Sequence, residues 1–168
     1  MTASGVYARV DGPLGEMTLV GRLTATGTAE LASLSLPGQK GGVGVRDDWR
    51  HAPAAFEDVA RQLGEYFAGR RTRFDLVCVP GGTDFQRRVW RALEEIPYGA
   101  TVSYGEIGRR VGASGAGVRA VGTAIGRNPL LVVRPCHRVI GADGTLRGYA
   151  AGLERKERLL GLEGALVT

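Results

Sequence analysis

The feature that most constrains this chain is a change of hydrophobic rhythm at Pro80-Gly81-Gly82. Before that point apolar residues come in short runs broken by turn formers: Val6 to Val10, the turn Asp11-Gly12-Pro13, Met17 to Val20, and Leu31 to Leu36. This punctuation predicts a small antiparallel sheet. Pro37 to Arg50 is glycine-rich and aperiodic, a loop. From Pro53 onward Phe56, Val59, Ala60, Leu63 and Phe67 recur at helical spacing until Gly69, which predicts an amphipathic helix, and Arg73 to Val79 reads as one more strand. Beyond the break the rhythm is helical. Thr83-Asp84-Phe85-Gln86 fits a capping box, Phe85, Val89, Leu93 and Ile96 line one face, and Pro97 ends the helix. Ser103-Tyr104-Gly105-Glu106 is a second capping box, opening a short helix through Val111 that stops at Gly112. A third helix is expected from about Ala116 to Ile125, after a turn containing Gly115. Two short helices joined by a tight turn have the proportions of a helix-turn-helix, although two packed core helices give the same pattern. The expected architecture is an α/β N-terminal lobe (1–80), with a small antiparallel sheet and a helix, followed by a mainly helical, winged-helix-like C-terminal lobe (81–168).

At 168 residues, 43% of them hydrophobic, the chain has enough apolar material for a core. No apolar segment follows a basic start and none is long enough to span a bilayer, so the expectation is a soluble, unprocessed, cytoplasmic protein with no membrane partner. Two cysteines do not make a disulfide framework, so each needs its own explanation. With His51 and His137 the only histidines, no C-x-x-C and no HExxH, neither a metal site nor another cofactor is expected. Charge is distributed unevenly. Residues 1–80 carry nine Lys/Arg and nine Asp/Glu, whereas residues 81–168 carry thirteen and eight, so the whole excess of +5 lies in the second half. That favours a polyanionic partner for this half, although a surplus of five is modest.

The chemically informative stretch is Leu130 to Ile140, LLVVRPCHRVI: an apolar strand, a proline, then Cys136 beside His137, then apolar residues again. A cysteine is a nucleophile only as thiolate, and a neighbouring base or cation is the usual means of generating one. His137, Arg134 and Arg138 are candidates. In an extended segment adjacent side chains point to opposite faces, which favours a bridging water over direct contact. For an isolated Cys-His pair the alternative, a small buried hydrophobe beside a satisfied core histidine, is the commoner case. Cys78, in the strand-like run FDLVCV, has no base or cation beside it and reads as core.

Context changes the weighting for Cys136. Pro135-Cys136-His137-Arg138 resembles the active-site signature of the O6-alkylguanine-DNA alkyltransferases, the methylated-DNA–protein-cysteine methyltransferase family. Phe85-Gln86-Arg87-Arg88-Val89-Trp90, Ile96-Pro97-Tyr98-Gly99, Ser103-Tyr104, Arg119-Ala120-Val121-Gly122, Asn128-Pro129, Gly148-Tyr149 and the closing Arg155-Lys156-Glu157 to Glu163-Gly164 follow in the family's order, over about residues 80–164. The N-terminal lobe resembles the family only in length and in its strand, helix and strand pattern.

The resemblance implies a DNA repair protein that takes an alkyl group from O6 of guanine onto its own thiol and does not turn over. Cys136 would be the acceptor, His137 the base acting through a water, and Glu163 the carboxylate that orients the histidine and raises its basicity. Asn128 would organise the site, and Tyr104 would donate to the purine as charge develops on the leaving group. Arg119 matches the family's finger residue, which fills the space left by the flipped nucleotide. The small residues around it, Ala120 and Gly122 among them, suit close approach to a minor groove, with Ser103 also on the DNA side. Tyr149 would wall the base pocket, and backbone amides near Tyr149 and Ala150 would hold the O6 atom. The implied partner is double-stranded DNA carrying O6-alkylguanine, bound in the minor groove without sequence preference by a monomer, cooperativity on DNA being left open. Ala151 departs from the family's usual glycine or larger residue, and the Tyr104–Arg119 segment is one residue longer than in some relatives, so the pocket rim and the turn are where this chain is expected to differ.

Three other readings share part of this pattern. A thiol hydrolase with the same Cys, His and Glu would acylate Cys136 and free it by water, and so turn over. A damage-binding module would lack the cysteine. A transcriptional activator fused to this activity needs an additional metal-binding domain for which the chain has no room.

Overall fold

Alternation along β1 (Gly5–Val10) buries Val6 and Ala8 and turns Tyr7 and Arg9 outward. The strand pairs antiparallel with β2 (Met17–Leu23), from Gly5↔Arg22 to Val10↔Met17. The connection is a tight turn in which Gly12 and Gly15 exchange backbone hydrogen bonds. β2 pairs antiparallel with β3 (Ala29–Ser35), with a bulge between Val20 and Gly21. Only glycine fits at the bulge, because a Cβ on Gly21 would lie 2.4 Å from the carbonyl oxygen of Glu30. The computed structural model describes residues 5–42, 44–113 and 117–165. It divides the chain into two units, Met1–Pro80 and Gly81–Thr168, each with its own core.

In the first unit the sheet is mixed, not wholly antiparallel as expected. The glycine-rich loop returns the chain to the β1 edge as a two-residue strand, β4 (Arg50–His51), parallel to β1, giving the order β3-β2-β1-β4. The predicted helix begins as a 3₁₀ turn, Pro53–Phe56, and continues as α1 (Glu57–Phe67), whose buried face carries Val59, Leu63 and Tyr66. The strand expected over Arg73 to Val79 reduces to a single bridge between Leu31 and Cys78. The polar side chain of Gln62 accounts for the difference: from α1 it donates to the carbonyl of Asp75 at 2.9 Å and accepts from the amide of Asp75 at 2.8 Å. Those are the groups a sheet neighbour would have used.

The second unit is mainly helical. α2 (Asp84–Glu94) starts with the predicted capping box, Thr83 and Gln86 each bonding the other's backbone amide. It buries Val89, Trp90 and Leu93. The short strand β5 (Val102–Ser103) leads into α3 (Tyr104–Arg110). Ser103 caps α3 by accepting from the amide of Glu106 at 3.1 Å, but the second box stays half-formed because the Glu106 carboxylate faces Arg109 and Arg110 instead. α4 (Gly117–Gly126) buries Val121, Ala124 and Ile125. The predicted start at Ala116 and the turn at Gly115 lie outside the described residues. α3 meets α4 at Gly108, where a Cβ would lie 3.6 Å from the Val118 side chain of α4 and only 2.8 Å from the carbonyl oxygen of Ala113 in the turn after α3. The Trp90 indole, donating 2.8 Å to the carbonyl of Ala124, fastens α2 to α4. β6 (Val139–Ile140) pairs in parallel with β5, and α5 (Leu153–Leu162) ends the described fold. No helix among the described residues is long and apolar enough to cross a membrane.

Candidate active site

Cys136 is delivered by a turn, where the apolar run Leu130 to Val133 had suggested a strand. Arg134 donates to the carbonyl of Leu130 and Val133 to that of Leu131, and Val132 takes a positive φ of 71°. For a β-branched residue that is a strained conformation, costing on the order of 1–3 kcal/mol. Asn128 holds the turn from inside. Its Oδ1 accepts from the amide of Leu130 at 3.0 Å and its Nδ2 donates to the carbonyl of Arg134 at 3.1 Å, with the whole residue 2% exposed. Pro135 then leads into a one-turn 3₁₀ helix, Cys136–Arg138, in which all three side chains are buried. Adjacent side chains on such a turn diverge by roughly 120°, against 180° in a strand.

The thiol sits deep, and burial pushes its pKa up to about 11. Opposing this are a side-chain hydrogen bond from Asn128 and the positive charges of Lys156 and Arg134. His137 is completely buried; its Nε2 lies 2.8 Å from Oε2 of Glu163, the C-cap residue of α5. Burial lowers the histidine pKa and the Glu163 partner opposes the shift, so the ring is neutral at pH 7. Nδ1 is buried without a hydrogen-bond partner among the described residues. Tyr104, first residue of α3, is half-buried near the thiol. Its pKa is raised by burial and by Cys136, and lowered by a bond to the Gly148 backbone.

The comparisons with known proteins fit this geometry. Residues 84–165 match the family model described as the 6-O-methylguanine DNA methyltransferase, DNA binding domain. The methylated-DNA–protein-cysteine methyltransferase of Mycolicibacterium paratuberculosis is 49% identical over 157 residues, 94% of this chain and 91% of that protein. The chain belongs to this methyltransferase family. A protein of the same name from Methanosarcina acetivorans is 45% identical over 95% of this chain and 98% of its own length. The crystal structure of Mycobacterium tuberculosis OGT in complex with DNA superposes with a TM-score of 0.83 at 47% identity, covering 95% of this chain and 93% of that one. The match spans both units, so the N-terminal unit too is of the family's type, whereas its sequence alone had matched only in pattern.

The fold brings Cys136, His137, Glu163, Asn128 and Tyr104 into one buried neighbourhood. Arg119 and Ala120 stand apart on the exposed side of α4, with Gly122 half-buried, and no ion pair engages Arg119 among the described residues. Ser103 spends its hydroxyl oxygen on capping α3. Tyr149 and Ala150 are half-buried in the turn before α5, and Ala151 is buried behind them.

Two charged residues of this neighbourhood take places that the sequence does not predict. Arg138, read as a possible cation for the thiol, instead clasps Glu163. Its Nε donates to Oε1 at 2.7 Å, its Nη2 to Oε2 at 2.9 Å, and its Nη1 to the carbonyl of Ile96 at 2.6 Å. Lys156 is fully buried, donating to the carbonyls of Val139 at 2.6 Å and Gly148 at 3.0 Å, with its ammonium 5.8 Å from the centre of the Tyr104 ring. A signal for the second was available: Lys156, Leu159, Leu160 and Glu163 fall at i, i+3, i+4 and i+7, so the two charges share the apolar stripe of α5.

Proposed function

We propose that this protein repairs DNA directly, as a methylated-DNA–protein-cysteine S-methyltransferase that moves an alkyl group from O6 of guanine irreversibly to Cys136. The observation that carries this reading is the buried thiol beside the His137–Glu163 pair in a chain that matches the family across both units. At a pKa of about 11 the thiol is almost wholly protonated at neutral pH, so chemistry requires a base that acts as the reaction proceeds. His137 is that base. Its Nε2 is committed to Glu163, leaving Nδ1 to take the proton through a bridging water. The ammonium of Lys156 and the amide of Asn128 stabilise the thiolate as it forms.

The sulfur then attacks the alkyl carbon, forming C–S as C–O6 breaks, and the electron pair moves into the purine. Tyr104 donates a proton to the ring nitrogen that gathers this charge, and the thiol's own proton, held on His137, makes good the phenol. The product is neutral guanine and a thioether at Cys136, which has no leaving path in water.

The outer face of α4, small-sided around Arg119, serves the DNA, in the manner of a helix-turn-helix whose second helix lies in the minor groove, and Arg119 fills the stack once the damaged nucleotide is flipped out. The excess positive charge of residues 81–168 supports a phosphate backbone as partner. Tyr149 and Ala150 border the pocket for the flipped base. The protein acts as a monomer in the cytoplasm.

Mass spectrometry after mixing with duplex DNA containing O6-methylguanine tests the reaction. The expected result is one methyl group on the Cys136 peptide and a yield that plateaus at one lesion per protein molecule, even with damaged DNA in excess. Product in excess of protein would overturn the reading, as would a methyl group on Cys78.

A further inference from the structure

We infer that Arg138 is a positioning residue for the transfer, one that fixes which nitrogen of His137 carries the proton. The inference rests on the reading of His137 as the base, and it concerns a residue to which that reading gives no role.

A neutral imidazole has one N–H and one bare nitrogen, and only the bare one can accept a proton. Here Nε2 faces Oε2 of Glu163 at 2.8 Å and Nδ1 has no hydrogen-bond partner among the described residues. The partner's protonation state therefore decides the tautomer. A carboxylate accepts only, so it requires the proton on Nε2 and leaves Nδ1 bare. A protonated carboxyl group donates to Nε2 and drives the proton to Nδ1, where it blocks the base. Glu163 is 5% exposed, and a carboxyl group that deep tends to take up a proton. What opposes this is the guanidinium fork: two parallel N–H donors, one to each carboxylate oxygen, from a side chain that can only donate. The fork is itself held in place by the Ile96 carbonyl and by the Tyr98 ring, whose centre lies 5.7 Å from the guanidinium carbon.

The same charge also acts on the imidazole. The charged groups about His137 are Glu163, Arg138 and Lys156, and the two cations disfavour a protonated ring. The resting base is therefore empty as well as correctly oriented.

Nitrogen-15 NMR of the free protein, without DNA, reads the tautomer directly. The chain has only two histidines, and His51 is exposed, so the signals of His137 are separable. The wild type is expected to show an unprotonated Nδ1 and a protonated Nε2 at neutral pH. In Arg138→Met the proton is expected to move wholly or partly to Nδ1, with transfer slowed on the order of 100-fold, the contribution of a lost general base, and with the rate recovering at high pH as Glu163 ionises. Arg138→Lys, which keeps one charge, should retain the wild-type tautomer and most of the rate. A wild-type ring protonated on Nδ1 would overturn the inference, and so would a folded Arg138→Met that keeps both the tautomer and the rate. Should Arg138→Met not fold, Arg138→Lys decides: a folded Lys variant with the proton on Nδ1 refutes the proposed control by charge. Because the tautomer is read without DNA, its failure is distinguishable from a failure of methyl transfer to Cys136.

Discussion

The two units bury different things. Among the described residues of Met1–Pro80 the buried polar side chains are Ser33, Ser35 and Gln62, all uncharged, and the rest of the interior is apolar. Among the described residues of Gly81–Thr168 the buried polar side chains are Asn128, His137, Arg138, Lys156 and Glu163, four of them ionisable. Ionisable groups are expensive to take out of water even when paired, and hydrophobic replacements of similar volume are often neutral or stabilising. The first unit is thus built as a folding problem solved by apolar packing. The second accepts a cost in stability around Cys136, together with the strained Val132, and the proposed transfer gives that cost a purpose. The comparison makes a general expectation: substitutions in the first interior should change stability and spare the transfer, and substitutions in the second should do the reverse.

The largest effect should come from the sulfur itself. Cys136→Ala is expected to abolish methyl transfer while leaving DNA affinity nearly unchanged, because phosphate contacts dominate binding and the thiol is buried away from them. Methyl incorporation and a gel-shift titration on the same preparation measure both, and residual transfer would break the assignment of the thiol. Leu63→Ala is the counterpart in the first unit. Leu63 is 0% exposed, so its truncation should cost about 2–5 kcal/mol of stability, while the rate per folded molecule stays at the wild-type value. If the rate falls along with stability, the division of labour between the units is wrong.

Glu163→Gln should slow transfer by roughly 100-fold and also lower stability, since the amide removes the charge that supports His137 and leaves the buried Arg138 guanidinium without its anion. The defect should be partly recovered at high pH, where the thiol ionises without help; a loss independent of pH would point to a misformed end of α5. Alkylation of Cys136 is the next step down. A methyl group added to a thiol that is 5% exposed, against Asn128, overfills a packed site and should cost ~1–3 kcal/mol. The alkylated protein is therefore expected to melt below the fresh protein, and an equal or higher Tm would mean that the pocket has room to spare.

The sequence reveals local devices well and tertiary burial poorly. The change of rhythm at Pro80, the Thr83–Gln86 box and the faces of α1 and α2 are set by neighbours in sequence, and they are readable there. The strand expected at Arg73 to Val79 was lost to Gln62, thirteen positions before its partner Asp75, and β4 pairs in parallel after a long loop; neither contact has a local signature. Leu130 to Val133 reads as a strand by composition, but Asn128 and the positive φ of Val132 make it a turn. At the site the thiol, its histidine and Glu163 came from the family resemblance. From the sequence Arg138 reads as a cation for the thiol and Lys156 only as part of a family motif, and what buries both is packing from β6, α5 and the Tyr98 segment.

The smallest predicted effect isolates one of those buried charges. Lys156 is 0% exposed and donates to two carbonyl oxygens, with no carboxylate paired to it among the described residues. Burial lowers its pKa from 10.5 to about 8, while unfolding restores the ordinary value. Between those two values the unfolded chain holds a proton that the folded chain has released, so stability must rise with pH, by at most about 1.4 kcal/mol per pH unit. Cys136 acts in the opposite sense. Its folded pKa of about 11 exceeds the ordinary 9, so from pH 9 upward the unfolded chain releases a proton that the folded chain keeps, and stability falls. Wild-type protein should therefore gain stability from pH 8 to 9 and level off above it, where the two effects oppose each other. Lys156→Met should lose the gain and keep only the fall, whereas Cys136→Ala should keep the gain and continue rising past pH 9. Denaturant midpoints at pH 7, 8, 9 and 10 for the three proteins resolve the pattern. A wild-type profile flat from pH 8 to 9 would mean that the ammonium is as well satisfied inside as in water. Such a profile would remove Lys156 from the set of costs that distinguishes the second unit from the first.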